Sequence, residues 1–236
     1  MKPMLEIKNF HKSYGQKEIV KGINLEVNQG EIFGFIGHNG AGKTTTIRSV
    51  VGILDFESGE VLIDGKNIKT DPIACKQVMA YIPDNPDLYE HLTGIKYINF
   101  ICDLYGVPNE VRLPRIQELA KELELDTNLG DSISSYSHGM KQKLALISAF
   151  VHAPKLLILD EPFVGLDPKA AFTLKKRMRK ICDEGCSIFF SSHVLEVVEK
   201  LCDKVAILKE GQIVLQGETD EIIRNESLEE IFLGLE

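Results

Sequence analysis

The stretch GHNGAGKT, residues 37–44, constrains the fold of this 236-residue chain more than any other segment. It has the form G-x-x-x-x-G-K-[ST], between a strand-like run, EIFGFI, and a helix-like run, TTTIRSVVGIL. The glycines let successive backbone N–H groups turn inward, and the start of the helix adds partial positive charge. We therefore predict a phosphate-wrapping loop in which Lys43 reaches the β- and γ-phosphates and Thr44 offers its hydroxyl to Mg²⁺. The alternative, a glycine-rich turn with an incidental lysine, is disfavoured by both flanks.

Two adjacent acidic residues follow the apolar run at 156–160, LLILD. A continuous apolar run is typical of a strand buried on both faces, and Asp160 then lies at the carboxyl end, where α/β sheets bind ligands. A carboxylate there holds Mg²⁺ directly or through water. The side chain of Glu161, the next residue, would point in a different direction from that of Asp160. We predict that Glu161 polarises a water in line with the γ-phosphate. Without the phosphate loop, the two carboxylates could equally cap the following turn.

A histidine follows the next apolar run, SIFFSS, at 187–192. Taken alone, His193 is more often a helix-capping or packing residue than a functional one. Because its strand follows that of Asp160 in the α/β pattern, we predict that His193 reaches the γ-phosphate at the same sheet edge. The candidate catalytic residues are therefore Lys43, Glu161 and His193.

Alternating strand and helix patterns predict an α/β fold with a parallel sheet flanked by helices. From about residue 93 to 150 the pattern is helical without a strand-like run, which indicates a helical subdomain inserted into the core. The segment KVAILKEGQIVLQG predicts a hairpin with Glu-Gly as its turn. We expect a single domain, 1–236, whose parts are approximately a core (1–84 and 154–217), a helical subdomain (85–153) and a short helical tail (218–236).

Composition excludes some classes of function. No run approaches the roughly 18 apolar residues of a membrane span, and the first ten residues show no signal peptide, so we expect a cytoplasmic protein. The net charge of −8 disfavours nucleic acid as a partner, and the basic stretch LKKRMRK is typical of a solvated helix face. Five cysteines without a C-x-x-C pair indicate reduced structural thiols.

The order and spacing of these motifs resemble the nucleotide-binding subunit of ATP-binding-cassette (ABC) transporters over nearly the whole chain. The resemblance implies a P-loop NTPase core of the RecA-like type, with an antiparallel β region and an inserted α-helical subdomain. It implies binding and hydrolysis of ATP with Mg²⁺ at the interface of a head-to-tail dimer with a second cassette, identical or not. The matched segments are Walker A at 37–44, the signature region at 136–140, Walker B at 156–160, Glu161, the D-loop at 165–167 and His193.

The family's site residues carry over onto matching positions of this sequence. Tyr14 falls where the family stacks an aromatic ring on adenine, a contact worth about 1–3 kcal/mol by analogy with base stacking, although an ordinary strand tyrosine is the alternative. For ATP, the implied residues are Tyr14, Gly37, His38, Asn39, Gly40, Ala41, Gly42, Lys43, Thr44 and Thr45. The implied contacts to the neighbouring cassette's ATP are Ser137, His138, Gly139 and Met140, and the other implied residues are Asp167 in the D-loop and Thr44, Asp160 and Asp84 at the metal.

Three positions depart from the commoner family forms. His38 stands where proline is frequent, and we expect little effect. Asp84 stands where a glutamine usually contacts Mg²⁺ and the attacking water, and our hypothesis is that Asp84 couples the metal site to a transmembrane partner. His138 replaces a glycine where backbone nears phosphate, so its imidazole either points away or reaches the nucleotide.

The resemblance implies a separate transmembrane permease, which would hold this subunit at the inner face of the cell membrane. The acidic residue at position 84 and the single cassette look exporter-like, and the transported substrate is not encoded in this chain. Leu88, Tyr89 and Leu92 are possible apolar contacts to the permease, or they simply pack the helical subdomain. A non-transport cassette is disfavoured by the missing zinc spacing and the short insertion between positions 44 and 137, and a small-molecule kinase by the DEP–GLDP–SSH series.

Overall fold

A computed structural model describes residues 2–235; Met1 and Glu236, the ends of the expected domain, lie outside the described residues. The amino-terminal part forms a four-stranded antiparallel sheet in the order β2-β1-β4-β5. Its strands pair as neighbours through β1, which is bonded to β2 on one side and β4 on the other. The strands are β1 (Pro3–Tyr14), β2 (Lys17–Asn28), β4 (Ser58–Ile63) and β5 (Lys66–Asn67).

A second, six-stranded sheet has the order β10-β9-β3-β8-β7-β6. All of its neighbouring pairs are parallel except β10 on β9, a hairpin whose turn residues Glu210 and Gly211 both have positive φ. Every residue of β3, β7 and β8 is buried, as their continuous apolar runs predict. The strands are β3 (Ile32–Gly37), β6 (Met79–Ile82), β7 (Leu156–Asp160), β8 (Ser187–Ser192), β9 (Lys204–Lys209) and β10 (Gln212–Glu218).

Residues 2–235 contain nine α-helices, of which α1 to α7 lie between strands and α8 and α9 follow β10. Between β6 and β7 the chain is helical, with α3 and α4 packed on α5 and α5 packed on β6. None of the helices in the described part of the chain is long and apolar enough to cross a membrane. The helices are α1 (Lys43–Val50), α2 (Pro72–Val78), α3 (Gly94–Leu104), α4 (Asn109–Glu122), α5 (His138–Val151), α6 (Pro168–Asp183), α7 (Leu195–Leu201), α8 (Thr219–Ile222) and α9 (Leu228–Gly234).

The six-stranded sheet lies between two apolar cores. Along β3, Phe33 and Phe35 belong to the core shared with the antiparallel sheet, whereas Ile32 and Ile36 belong to the core shared with the helices. This alternation follows from the two-residue period of a strand. Because both faces are packed, the loops that leave the carboxyl ends of β3, β7 and β8 start from a rigid scaffold. The limits predicted for the core, the helical subdomain and the tail stay predictions.

Candidate functional site

The register of the parallel sheet brings three of the predicted motifs to one edge. Strand β8 lies between β3 and β7, with Ile36 paired to Ser192 and Asp160 paired to Ser191. The phosphate loop leaves β3, Glu161 follows β7 and His193 follows β8, so all three emerge at the carboxyl ends of adjacent strands. This edge is where α/β sheets bind ligands.

The phosphate loop depends on glycine where it leaves the sheet. A Cβ on Gly37 would come within 2.4 Å of the backbone carbonyl oxygen of Leu208, and Gly42 has φ of 112°. Helix α1 begins at the next residue, Lys43, so its amino terminus faces the loop. A side chain at position 37 or 42 would therefore change the path of the loop.

The ammonium of Lys43 lies inside the loop. It donates hydrogen bonds to the carbonyl oxygens of Gly37, at 2.6 Å, and His38, at 3.3 Å, and it lies 3.9 Å from Oε1 of Glu161. Burial lowers the pKa of Lys43, and the nearby carboxylates of Glu161 and Asp160 act in the opposite direction. The Lys43 ammonium therefore lies close to the carboxylate of Glu161, the predicted base.

Asp160 is fully buried at the end of β7. Its Oδ1 accepts a hydrogen bond of 2.5 Å from the Ser191 hydroxyl, whereas its Oδ2 is buried without a hydrogen-bond partner. Burial raises the pKa of Asp160, the hydroxyls of Ser191 and Thr44 lower it, and the charges of Asp84 and Glu161 raise it further. A buried carboxylate oxygen with no donor and two anionic neighbours has the chemistry of a cation ligand.

Magnesium at this edge would need ligands beyond side chains of the acidic, histidine and cysteine types. Residues 2–235 contain no group of three or more such side chains placed to hold a metal ion. Mg²⁺ in proteins commonly keeps several waters and takes phosphate oxygens beside one or two carboxylates. Asp160 fits that mode because it offers a buried, unpaired carboxylate oxygen, and Thr44 and Asp84 stay predicted ligands.

Glu161 is held in a strained backbone conformation beside His193. Its φ is 49°, a left-handed value that is uncommon for a residue with a side chain, and its N–H donates to the Ser191 hydroxyl at 3.1 Å. Its Oε2 lies 2.9 Å from Nδ1 of His193 and accepts a longer bond, 3.3 Å, from the His193 backbone N–H. The three predicted catalytic residues, Lys43, Glu161 and His193, therefore form one contiguous group.

The signature loop contacts the D-loop of its own chain. Ser137 caps α5 by accepting a hydrogen bond from the N–H of Met140 at 3.3 Å. The imidazole of His138 lies against Gly165, where an added Cβ would come within 2.4 Å of its Cδ2, and a Cβ on Gly139 would lie 3.1 Å from the Gly165 carbonyl oxygen. The structure thus places the His138 ring against the D-loop, and contact of this ring with a neighbouring cassette's nucleotide stays a prediction.

Asp167 ends the D-loop and begins α6. Its Oδ1 accepts a hydrogen bond of 2.9 Å from the N–H of Ala170, which lowers the pKa of Asp167. Its Oδ2 lies 3.5 Å from the ammonium of Lys143 on α5. Sequence reasoning missed Lys143; the only signal was a basic residue one turn after the signature, which is also typical of a solvated helix.

The remaining predicted residues lie around the loop. Tyr14 is the last residue of β1 and is half-exposed. The next strand, β2, runs beside the loop, since the carbonyl oxygen of Ile19 would lie 3.3 Å from a Cβ on Gly42. His38 is exposed and contacts the ring of Phe232, a neighbour that the sequence did not predict. In the loop and at the start of α1, Asn39 and Gly40 are exposed, Thr45 is partly buried and Ala41 is buried. Asp84, which follows β6, is exposed.

Comparison with known proteins agrees with this geometry. The profile of the family described as ABC transporter matches residues 20–164. The ABC-type transporter ATP-binding protein EcsA of Bacillus subtilis (strain 168) is 34% identical over 98% of this chain and 96% of its own length. The lantibiotic transport ATP-binding protein SrtF of Streptococcus pyogenes is 33% identical over 97% of this chain and 96% of its own.

A solved structure of an ATP binding subunit of an ABC transporter superposes with a TM-score of 0.95 at 34% identity, covering 98% of this chain and 99% of that one. The predicted P-loop NTPase fold is thereby confirmed. The chain belongs to the ABC transporter family as an ATP-binding subunit, an ATPase whose activity is coupled to transport.

Proposed function

We propose that Lys43, Glu161 and His193 carry out the hydrolysis of ATP in this subunit. The observation that carries the proposal is their contact at one sheet edge, with Glu161 3.9 Å from the Lys43 ammonium and 2.9 Å from the His193 ring. In this assignment the backbone N–H groups of the phosphate loop and Lys43 bind the β- and γ-phosphates. Tyr14 provides the adenine with a stacking surface.

Glu161 acts as the general base in this assignment. Its carboxylate accepts hydrogen bonds and can take a proton from a water aligned with the γ-phosphate. His193 keeps the carboxylate in place through its Nδ1 and backbone N–H, and its exposed ring is free to approach the γ-phosphate oxygens. Bound Mg²⁺, held by Thr44, Asp160 and Asp84, would neutralise charge on the phosphates.

We also propose that two cassettes combine head to tail. Ser137, His138, Gly139 and Met140 would then face the neighbouring cassette's γ-phosphate, where the start of α5 offers N–H groups and partial positive charge. The contact of His138 with Gly165 supports a role in this interface, because it couples the signature loop to the D-loop that ends at Asp167.

A separate permease completes the proposed transporter, which would place this subunit on the inner face of the cell membrane. Leu88 is buried, which favours packing over docking, whereas Tyr89 is 50% exposed and contacts Phe100, which is 42% exposed. We assign the permease contact to this exposed aromatic surface. Outward transport is the proposed direction, because the acidic residue at position 84 is exporter-like. The net charge of −8 disfavours nucleic acid as a further binding partner.

The test is Glu161→Gln in the full chain. The amide keeps size and hydrogen bonding but cannot take the proton, so turnover should fall by about 10²–10⁴-fold while MgATP still binds. A stable ATP-bound dimer should accumulate, measured by light scattering. The matched control is Glu196→Gln, an exposed glutamate on α7, which should hydrolyse normally. Turnover by the Glu161 variant at the wild-type rate would mean that the base is misassigned.

A further inference from the structure

The last helix that the structure describes, α9, reaches the tip of the phosphate loop. The ring of Phe232 lies 4.5 Å from the His38 imidazole, centroid to centroid, with the ring planes inclined at 48°. Offset and tilted aromatic pairs at this separation are favourable beyond the area that they bury. The two residues are far apart in the sequence, and the roles assigned above use neither this contact nor Phe232.

Helix α9 is anchored on both sides of this contact. At its start, Leu228 is fully buried and its N–H donates a hydrogen bond of 2.9 Å to Oε2 of Glu199 on α7. At its end, the carbonyl oxygen of Leu235 accepts a hydrogen bond from the ammonium of Lys209 on β9. Strand β9 pairs with β3, the strand that leads into the phosphate loop. The position of Phe232 is therefore fixed relative to the loop that it contacts.

The contact falls where the loop is least covered by the rest of the fold. Residues 38–40 are exposed, whereas residues 41–43 are buried. The carbonyl oxygen of His38 accepts hydrogen bonds from the N–H of Ala41, at 3.1 Å, and from the Lys43 ammonium, at 3.3 Å. A displacement of His38 would thus disturb the partners of the residue assigned to the phosphates.

We propose that Phe232 is a positioning residue for ATP binding, which acts through His38 to hold the phosphate loop in its receiving shape. A loop that already has its bound conformation loses less entropy when the ligand binds. Helix α9 also packs on α7, which begins two residues after His193, so it connects the loop to the helix that follows His193. The inference rests on the proposed ATP site.

The first measurement is the affinity of the full chain for MgATP, with KM and kcat alongside. Phe232→Ala should weaken MgATP binding by about three- to tenfold, the range expected for one aromatic contact. The effect should fall on KM more than on kcat, because the group acts before the chemical step. Phe232→Tyr, which keeps the ring, should restore the affinity, and Phe232→Leu, which fills space without a ring, should not. The matched control is Leu233→Ala, since Leu233 is 58% exposed on the same helix.

A double-mutant cycle separates positioning from general packing. If Phe232 acts through His38, the variant with both Phe232→Ala and His38→Ala should bind MgATP no more weakly than the weaker single variant. Phe232 also packs on the core shared with the helices, so Phe232→Ala should melt below Leu233→Ala without nucleotide, and Phe232→Leu should recover that stability but not the affinity. Additive losses, wild-type affinity of Phe232→Ala, or full rescue by Phe232→Leu would each overturn the inference.

Lys43→Ala distinguishes failure of this inference from failure of the proposed site. Loss of MgATP binding in Lys43→Ala, with normal binding in Phe232→Ala, would reject the positioning role and leave the proposed site standing. Normal binding in Lys43→Ala would reject the site itself, and with it the role of Phe232.

Discussion

At the scale of single residues, the two adjacent carboxylates of the site, Asp160 and Glu161, have different hydrogen-bond partners. One carboxylate oxygen of Asp160 accepts a hydrogen bond from Ser191, and the other has no hydrogen-bond partner. Glu161 is the first residue after β7, and its left-handed backbone ends the alternation of the strand. The carboxylate of Glu161 contacts the His193 ring and lies near the Lys43 ammonium. This division suits one carboxylate to a cation and the other to a water.

Asp84 gives a prediction at this scale, since its charge acts on Asp160. Asp84→Asn keeps the size and removes the charge. It should raise the Mg²⁺ concentration needed for half-maximal ATPase activity by a few-fold, and it should strengthen ATP binding without Mg²⁺ because repulsion of the phosphates is relieved. Both quantities come from Mg²⁺ titrations. Asp87→Asn, at an exposed neighbour, is the control, and an unchanged Mg²⁺ requirement would remove Asp84 from the metal site.

At the scale of elements, the ends of two helices in the helical region are joined by an aromatic stack. The His152 ring, at the end of α5, lies parallel to the Tyr105 ring, at the end of α3, with centroids 3.7 Å apart and planes inclined at 8°. Arg115 of α4 donates a hydrogen bond of 2.7 Å to the Val151 carbonyl oxygen beside it. Burial, and secondarily the Arg115 charge, lowers the pKa of His152 to about 4. The junction of the three helices is therefore built around a neutral imidazole.

This junction predicts acid sensitivity. Below pH 6.5 the unfolded chain protonates His152, but the folded chain does so only near pH 4, so the free energy of unfolding falls as the pH drops through that window. The shift corresponds to at most roughly 3 kcal/mol. His152→Phe keeps the stack and removes the proton site, so its stability should vary less between pH 6.5 and 4, as measured by urea unfolding at several pH values. Equal slopes for both proteins would contradict a neutral buried His152.

At the scale of the whole molecule, the proposed catalytic and docking surfaces occupy different parts of the fold. The proposed ATP site lies at the carboxyl ends of β3, β7 and β8, whereas the exposed rings of Tyr89 and Phe100 lie in and near α3, with centroids 5.7 Å apart. Exposed aromatic rings that lie together can mark a contact with another protein. Asp84 lies between the two in sequence, just after β6, which suits the hypothesis that it couples them.

The double variant Tyr89→Ala and Phe100→Ala tests this separation. It should lose copurification with the permease and the ATPase activity that the permease stimulates, because the aromatic contacts are removed. The affinity of the isolated subunit for MgATP should stay unchanged. Ile73→Ala, at an exposed apolar residue of α2, is the control. Normal copurification of the double variant would place the permease contact elsewhere.

The sequence alone determined the parts of this protein whose cause is local. The phosphate loop follows from glycine geometry between a strand and a helix, and the buried strands follow from continuous apolar runs, so the α/β fold and the positions of Lys43, Asp160 and Glu161 could be predicted. The antiparallel hairpin at Glu210 was predictable for the same reason, since its turn chemistry is contiguous in sequence.

Only the tertiary structure decided the contacts between distant segments. The His138 ring lies on Gly165, Lys143 pairs with Asp167, and Phe232 contacts His38. These contacts join segments that are distant in the sequence and that meet only when the helices pack on the sheet. A residue pattern reports the face on which a side chain lies, through the period of its strand or helix. It carries no record of which distant face lies opposite, since that depends on the packing of the whole chain.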